Sequence, residues 1–173
     1  REGIDLVQMQ QLVVSRRKIY PGFQTLLVTN PEGSTIAIES ERADGTAYRP
    51  PSNSIADREY FRKAVATGQP YISEVLLGRL RQNPIVTIAV PIADKTGVVQ
   101  GIVGGSLNLS YFSHFGENYQ TMREAEIIIL DRLNRVVFSS VTGFTPLQDL
   151  SKSPLIVATN ASTDPVFEYT PQK

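Results

Sequence analysis

Two stretches of this chain are built on one plan. Thr25–Ser40 (TLLVTNPEGSTIAIES) is an apolar run, a four-residue polar turn and a second apolar run; Glu126–Ser140 (EIIILDRLNRVVFSS) repeats that order about 100 residues later. Asp131 stands where Asn30 stood and Asn134 where Gly33 stood, and both Gly and Asn tolerate a left-handed backbone. Each stretch therefore reads as a hairpin, and the pair reads as tandem copies of one sheet unit. The second copy has only about 50 residues, interrupted by Pro146, Pro154, Pro165 and Pro171, so it is either a reduced version or a truncated one.

The remaining elements follow from periodicity. Leu6, Met9 and Val13 share one face at helical spacing until Pro21-Gly22, which predicts an amphipathic opening helix. Residues 41–56 carry Asp44-Gly45, Pro50-Pro51 and Ser52-Asn53-Ser54, the chemistry of a segment that wraps over a surface or a site. Asp57 is placed to N-cap a helix through Tyr60, Phe61, Ala64 and Val65, closed by Gly68 and Pro70. Ile85–Ile92 and Val98–Leu109 are the clearest strands, an antiparallel pair around Asp94-Lys95-Thr96-Gly97. A six-residue loop (93–98) sets Thr87 opposite Gly104 and Ala89 opposite Ile102, bringing two small faces together. Such a face either leaves room for a ligand or lets a helix pack closely.

Composition narrows the function. Lys plus Arg and Asp plus Glu are 17 each, so no net field draws nucleic acid. There is no cysteine and one histidine, His114, which removes thiolate chemistry and Cys-containing zinc sites. His114 follows Tyr111 and Phe112, a place that suits a structural or surface role. No Ser-His-Asp order, paired-carboxylate motif or phosphate loop can be assembled, which argues against an enzyme. No run reaches the ~20 apolar residues of a membrane span, and the first residue is not Met, so the chain reads as a soluble piece of a longer protein.

The ordered set Asp57-Arg58-Glu59-Tyr60-Phe61, Thr67-Gly68-Gln69-Pro70-Tyr71-Ile72-Ser73, Pro84-Ile85-Val86-Thr87-Ile88-Ala89-Val90-Pro91-Ile92, Gly97 and Gly101-Ile102-Val103-Gly104-Gly105 resembles the membrane-distal module of double Cache sensor domains. The resemblance covers residues 1–116, and 124–173 only by the opening hairpin. It implies an α+β fold: a long N-terminal helix (1–22), then two tandem PAS-like antiparallel-sheet modules, one distal (23–119) and one proximal and partial (124–173), with a boundary near 119–124. It further implies the extracytoplasmic part of a membrane-anchored histidine kinase, diguanylate cyclase or chemoreceptor, periplasmic in a cell with two membranes. Such a part is non-catalytic, needs no cofactor or metal, and binds a small metabolite. The pocket transferred by resemblance comprises Arg58, Tyr60, Tyr71, Ser73, Arg79, Thr87, Ala89 and Ser106. Amino-acid-binding members resemble one another in placing an aspartate where this chain has Ser106, so an organic acid held by arginine is favoured over an amino acid. A homodimer through the N-terminal helix is expected; the alternative is a structural or dimerisation module with no small-molecule ligand, in which the small sheet face packs a partner and that helix pairs with its copy.

Overall fold

The computed structural model describes residues 5–42, 44–48, 53–112 and 126–163. By its contacts the chain divides into two compact units, Arg1–Tyr111 and Phe112–Lys173. The boundary expected at 119–124, and His114, lie outside the described residues.

In the first unit, helix α1 (Leu6–Ile19) is capped by Asp5, whose carboxylate accepts from the amides of Val7 and Gln8 at 2.9 and 3.2 Å. Strands β1 (Phe23–Thr29) and β2 (Thr35–Glu41) form the first hairpin, with the short β3 (Ala47–Tyr48) on its edge. Helix α2 (Glu59–Thr67) follows, then β4 (Tyr71–Ile72), β5 (Leu76–Leu77), β6 (Pro84–Ala93) and β7 (Val99–Asn108). The sheet order is β3-β2-β1-β7-β6-β4, with β5 also paired to β6. The first strand thus lies at the centre, between its hairpin partner and the last strand.

Neighbouring residues on a strand point to opposite faces, and β1 uses both. Val28 packs with Ala37 and with Val13 of α1 on one side; Leu27 packs with Ile38, Ala89, Ile102 and Tyr60, Phe61 and Ala64 of α2 on the other. The two helices therefore cover opposite faces of one sheet. Of the face expected for α1, Val13 is buried and Met9 half-buried, but Leu6 is 55% exposed. The helix is also pinned to β2 by Gln10, whose carboxamide both donates to the Ile38 carbonyl (2.8 Å) and accepts from its amide (3.0 Å).

Two sequence expectations are corrected here. Thr87 pairs with Ser106 and Ala89 with Gly104, a slip of two residues from the pairing expected. A register break between Ile92 and Ala93 inserts an extra residue on β7, next to Gly101. Gly101 has φ +145°, and a Cβ there would stand 1.9 Å from the Thr29 carbonyl oxygen, so β7 can cross β1 at this point only without a side chain. A slip of two preserves the face of every residue, which is why Thr87 and Ala89 still point inward. The second correction concerns Asp57, which does not cap α2; the N-cap is Arg58, with no side-chain cap bond, because Asp57 is engaged by Arg79.

The second unit contains the hairpin of β8 (Ile128–Leu130) and β9 (Val136–Ser139) and a helix α3 (Pro154–Ala161). Its turn repeats the key bonds of the first. The Asn30 side chain accepts from the Ser34 amide at 2.8 Å, and Asp131 from the Arg135 amide at 2.9 Å; Gly33 and Asn134 have φ of 81° and 59°. The likeness continues past the hairpin. Ile55 N–H donates to the Gly33 carbonyl and Leu150 N–H to the Asn134 carbonyl, both at 2.9 Å, and each anchor precedes its helix by four residues. Val136, Leu150 and Ile156 form the buried core of this unit.

Candidate functional site

In the first unit a pocket opens on the α2 side of the sheet. On its floor lie Thr25 and Ser106, the middle pair of a row of hydroxyls crossing four strands. Thr25 is opposite Ser40 on one side and Ser106 on the other, and Ser106 is opposite Thr87. Thr25 Oγ1 and Ser40 Oγ are 2.7 Å apart, Thr87 Oγ1 and Ser106 Oγ 3.1 Å, and all four residues are buried. Leu27, Ile38, Ile55, Leu76, Leu80 and Ile85 supply the apolar lining.

The walls are two irregular segments latched together. Arg79 Nη1 donates to the Ser54 carbonyl at 2.9 Å, and its Nη2 pairs with the Asp57 carboxylate. That bond holds Asp57 below the usual carboxylate range. The 78–83 loop is tied to the sheet by Gln24 and Asn83, whose amides exchange hydrogen bonds of 3.0 and 3.4 Å. Arg58, Arg79 and Arg81 all line the pocket, and no Asp or Glu lines it. Tyr60 lines it as well; burial raises its phenol above the ordinary value, so near neutral pH it is a neutral donor.

The three arginines are not equally free. Arg79 is committed to Asp57, and Arg81 Nη1 lies 3.6 Å from Glu41 Oε1. The hydrogen bond of Arg58 is a long one, 3.4 Å from Nη2 to the Leu77 carbonyl. Glu41 meanwhile binds Arg17 of α1 through its other oxygen at 3.1 Å. Arg17 Nε and Arg81 Nη1 are buried without a hydrogen-bond partner among the described residues. The volume open to the centres of water-sized molecules is about 40 Å3, room for a few waters, so a larger ligand needs the arginine walls to move.

Of the eight residues carried over by resemblance, Arg58, Tyr60, Arg79 and Ser106 come together in this pocket. Thr87 is buried beside Ser106, and Ser73 Oγ accepts from its amide at 2.9 Å. Ala89 is completely buried in the core under α2. Tyr71 is half-buried at the far edge, its hydroxyl donating to Glu59 at 3.2 Å. The small strip over β6 and β7 is filled by protein: a Cβ on Gly104 would meet Leu27 at 3.0 Å. The open volume lies instead over β1 and β2. Gln24, Thr25, Asn53 and Arg81 line it and were not legible in advance, since only the observed strand order brings Thr25 beside Ser106.

No family model matches the chain. The chain is similar to sporulation kinase D of Bacillus subtilis (strain 168), 26% identical over 111 residues, which cover 64% of this chain and 21% of the kinase. Among solved structures it resembles the extracellular domain rpHK1S-Z16, assigned to a histidine kinase (TM-score 0.69, 17% identity, 86% of this chain and 59% of that one). It also resembles the ligand-binding domain of the Campylobacter jejuni chemoreceptor Tlp3 in complex with L-valine (TM-score 0.68, 13% identity, 95% and 63%). The chain thus spans about a fifth of the kinase and less than two thirds of these domains. Its fold is the α+β, PAS-like fold that the extracellular domain of that histidine kinase and the ligand-binding domain of that chemoreceptor share.

Proposed function

We propose that this chain is the extracytoplasmic sensing part of a membrane receptor and that its first unit binds a small organic acid. The observation that carries the reading is the charge of the pocket: three arginines and no carboxylate line it. The ammonium group of an α-amino acid is best held by a carboxylate, and the hydroxyls of Thr25 and Ser106 can accept a hydrogen bond but bear no charge. Among the described residues Arg79 is bonded to a carboxylate and Arg81 faces one at 3.6 Å, which leaves Arg58 as the pocket arginine with no such partner and suits a single carboxylate held by a planar fork. The aliphatic lining and the hydroxyl floor suit a short body with one further polar group.

The fold likeness supports a sensing role in place of catalysis, and the receptor origin of the similar proteins supports an extracytoplasmic location. Among the described residues no helix is long and apolar enough to cross a membrane, so the reading places the anchor elsewhere in the parent protein. A thermal-shift screen of small carboxylates, amino acids and amines tests it: carboxylates raise the melting point and amines do not. A screen in which only amines or amino acids act removes the organic-acid reading.

A second reading rests on Leu12 and Ile19, seven residues apart on one face of α1 and 47% and 59% exposed. They suit pairing of this helix with its copy, and sedimentation of the chain over a concentration range distinguishes monomer from dimer.

A further inference from the structure

Glu41 is the last residue of β2, and its carboxylate touches two parts of the molecule with different tasks. Oε2 binds Arg17 on α1 at 3.1 Å, and Oε1 faces Arg81 of the pocket loop at 3.6 Å. The side chains of Arg17, Glu41 and Arg81 are only 10%, 21% and 20% exposed, so their interactions are weakly screened. The second distance is too long for a hydrogen bond, and Arg81 Nη1 is a buried donor without one among the described residues. A buried guanidinium nitrogen in that state gains from any further oxygen brought within reach. Arg81 lines the pocket, so a small turn of its guanidinium toward the opening brings Nη1 to a ligand oxygen.

We propose that Arg81 is a second anion contact of the pocket and that Glu41 couples it to α1. The proposal rests on the pocket being the ligand site. A ligand carboxylate that takes Arg81 Nη1 displaces the long contact to Glu41 and repels its carboxylate. Glu41 is then left to Arg17 alone, so occupancy of the pocket changes how tightly the last turn of α1 is held. Linkage makes the effect reciprocal: Glu41 competes with the ligand for Arg81, while Arg17 lessens that competition by holding Glu41.

Acetate is small enough for the pocket as it stands and serves as the probe. The chain is titrated with sodium acetate against sodium chloride at matched ionic strength, and the amide and arginine Nε–Hε resonances are followed by NMR. In the parent, Arg81 and Arg17 shift with one dissociation constant. Glu41→Gln removes the competitor, so acetate binds about 5-fold tighter or more and the Arg17 response disappears. Arg17→Gln leaves Glu41 to Arg81 and weakens acetate by a similar factor. Because the two variants move affinity in opposite directions, general damage to the fold cannot imitate the pair. Shifts at Thr25, Arg58 and Ser106 with Arg17 silent, or unchanged affinity in Glu41→Gln, overturn the coupling and leave the pocket standing. No acetate response at any pocket residue overturns the pocket reading and the coupling with it.

Discussion

Ser106 on β7 lies directly opposite Thr25 on β1, and both hydroxyls face the same pocket. Each has a second hydroxyl on its far side, Thr87 for Ser106 and Ser40 for Thr25, so the floor is polar yet internally satisfied and carries no charge. Removing one member exposes this dependence. Ser106→Ala leaves the Thr87 hydroxyl without that partner in a site where Thr87 is 1% exposed, and is expected to cost about 1–3 kcal/mol in chemical denaturation. A variant as stable as the parent would show that the row contributes nothing to folding.

The latch between Arg79 and Asp57 has a pH signature. The folded value of Asp57 is depressed below its ordinary 3.8 by the Arg79 hydrogen bond, so the stability it contributes is present above the unfolded value and is lost as pH falls through the folded one. Asp57→Asn therefore melts below the parent near neutral pH, and the two melting points converge as pH drops below about 3.8. Both groups are well exposed, so the difference is small. An offset that persists at low pH points to packing instead of charge.

The two hairpin turns share a bond pattern but differ in tolerance. Gly33 has φ +81° and a Cβ there would meet the Ala56 amide nitrogen at 2.8 Å; Asn134 holds φ +59° with a side chain already present. Gly33→Ala is expected to lose more than about 2 kcal/mol, combining left-handed strain with a backbone collision. Asn134→Gly is expected to change stability by less than about 1 kcal/mol. Urea titrations of both variants check this, and equal losses would contradict the account of the turns.

These turns also explain what was legible in the sequence. Asn30, Asp94 and Asp131 each accept a backbone amide through their own side chains, and Gly33, Gly97 and Asn134 take the positive φ that follows. Such local chemistry is written in a few adjacent letters, so the hairpins and the repeat could be read directly. The antiparallel pairing of β6 with β7 could be read as well, but its register could not, because the extra residue beside Gly101 answers to Thr29, far away in the chain. The pocket shifted with it. Glycine and alanine on β6 and β7 admitted Leu27 and α2, while the open space fell over β1 and β2, whose place beside β7 is a matter of strand order. Arg81 reads as an ordinary surface loop residue until Glu41 is seen beside it.

The most direct test of the central claim is calorimetric titration of the parent and of Arg58→Ala with the carboxylate that gives the largest thermal shift. Among the described residues the Arg58 side chain hydrogen-bonds only to the Leu77 carbonyl, through a long contact, so its truncation is expected to change the unliganded stability by no more than about 0.5 kcal/mol. Losing a charge-assisted bidentate contact is expected to weaken binding at least about 10-fold, a matter of roughly 1.5–3 kcal/mol. Equal affinity in the two proteins, with unchanged folding, would contradict the claim that this pocket recognises its ligand through the Arg58 guanidinium.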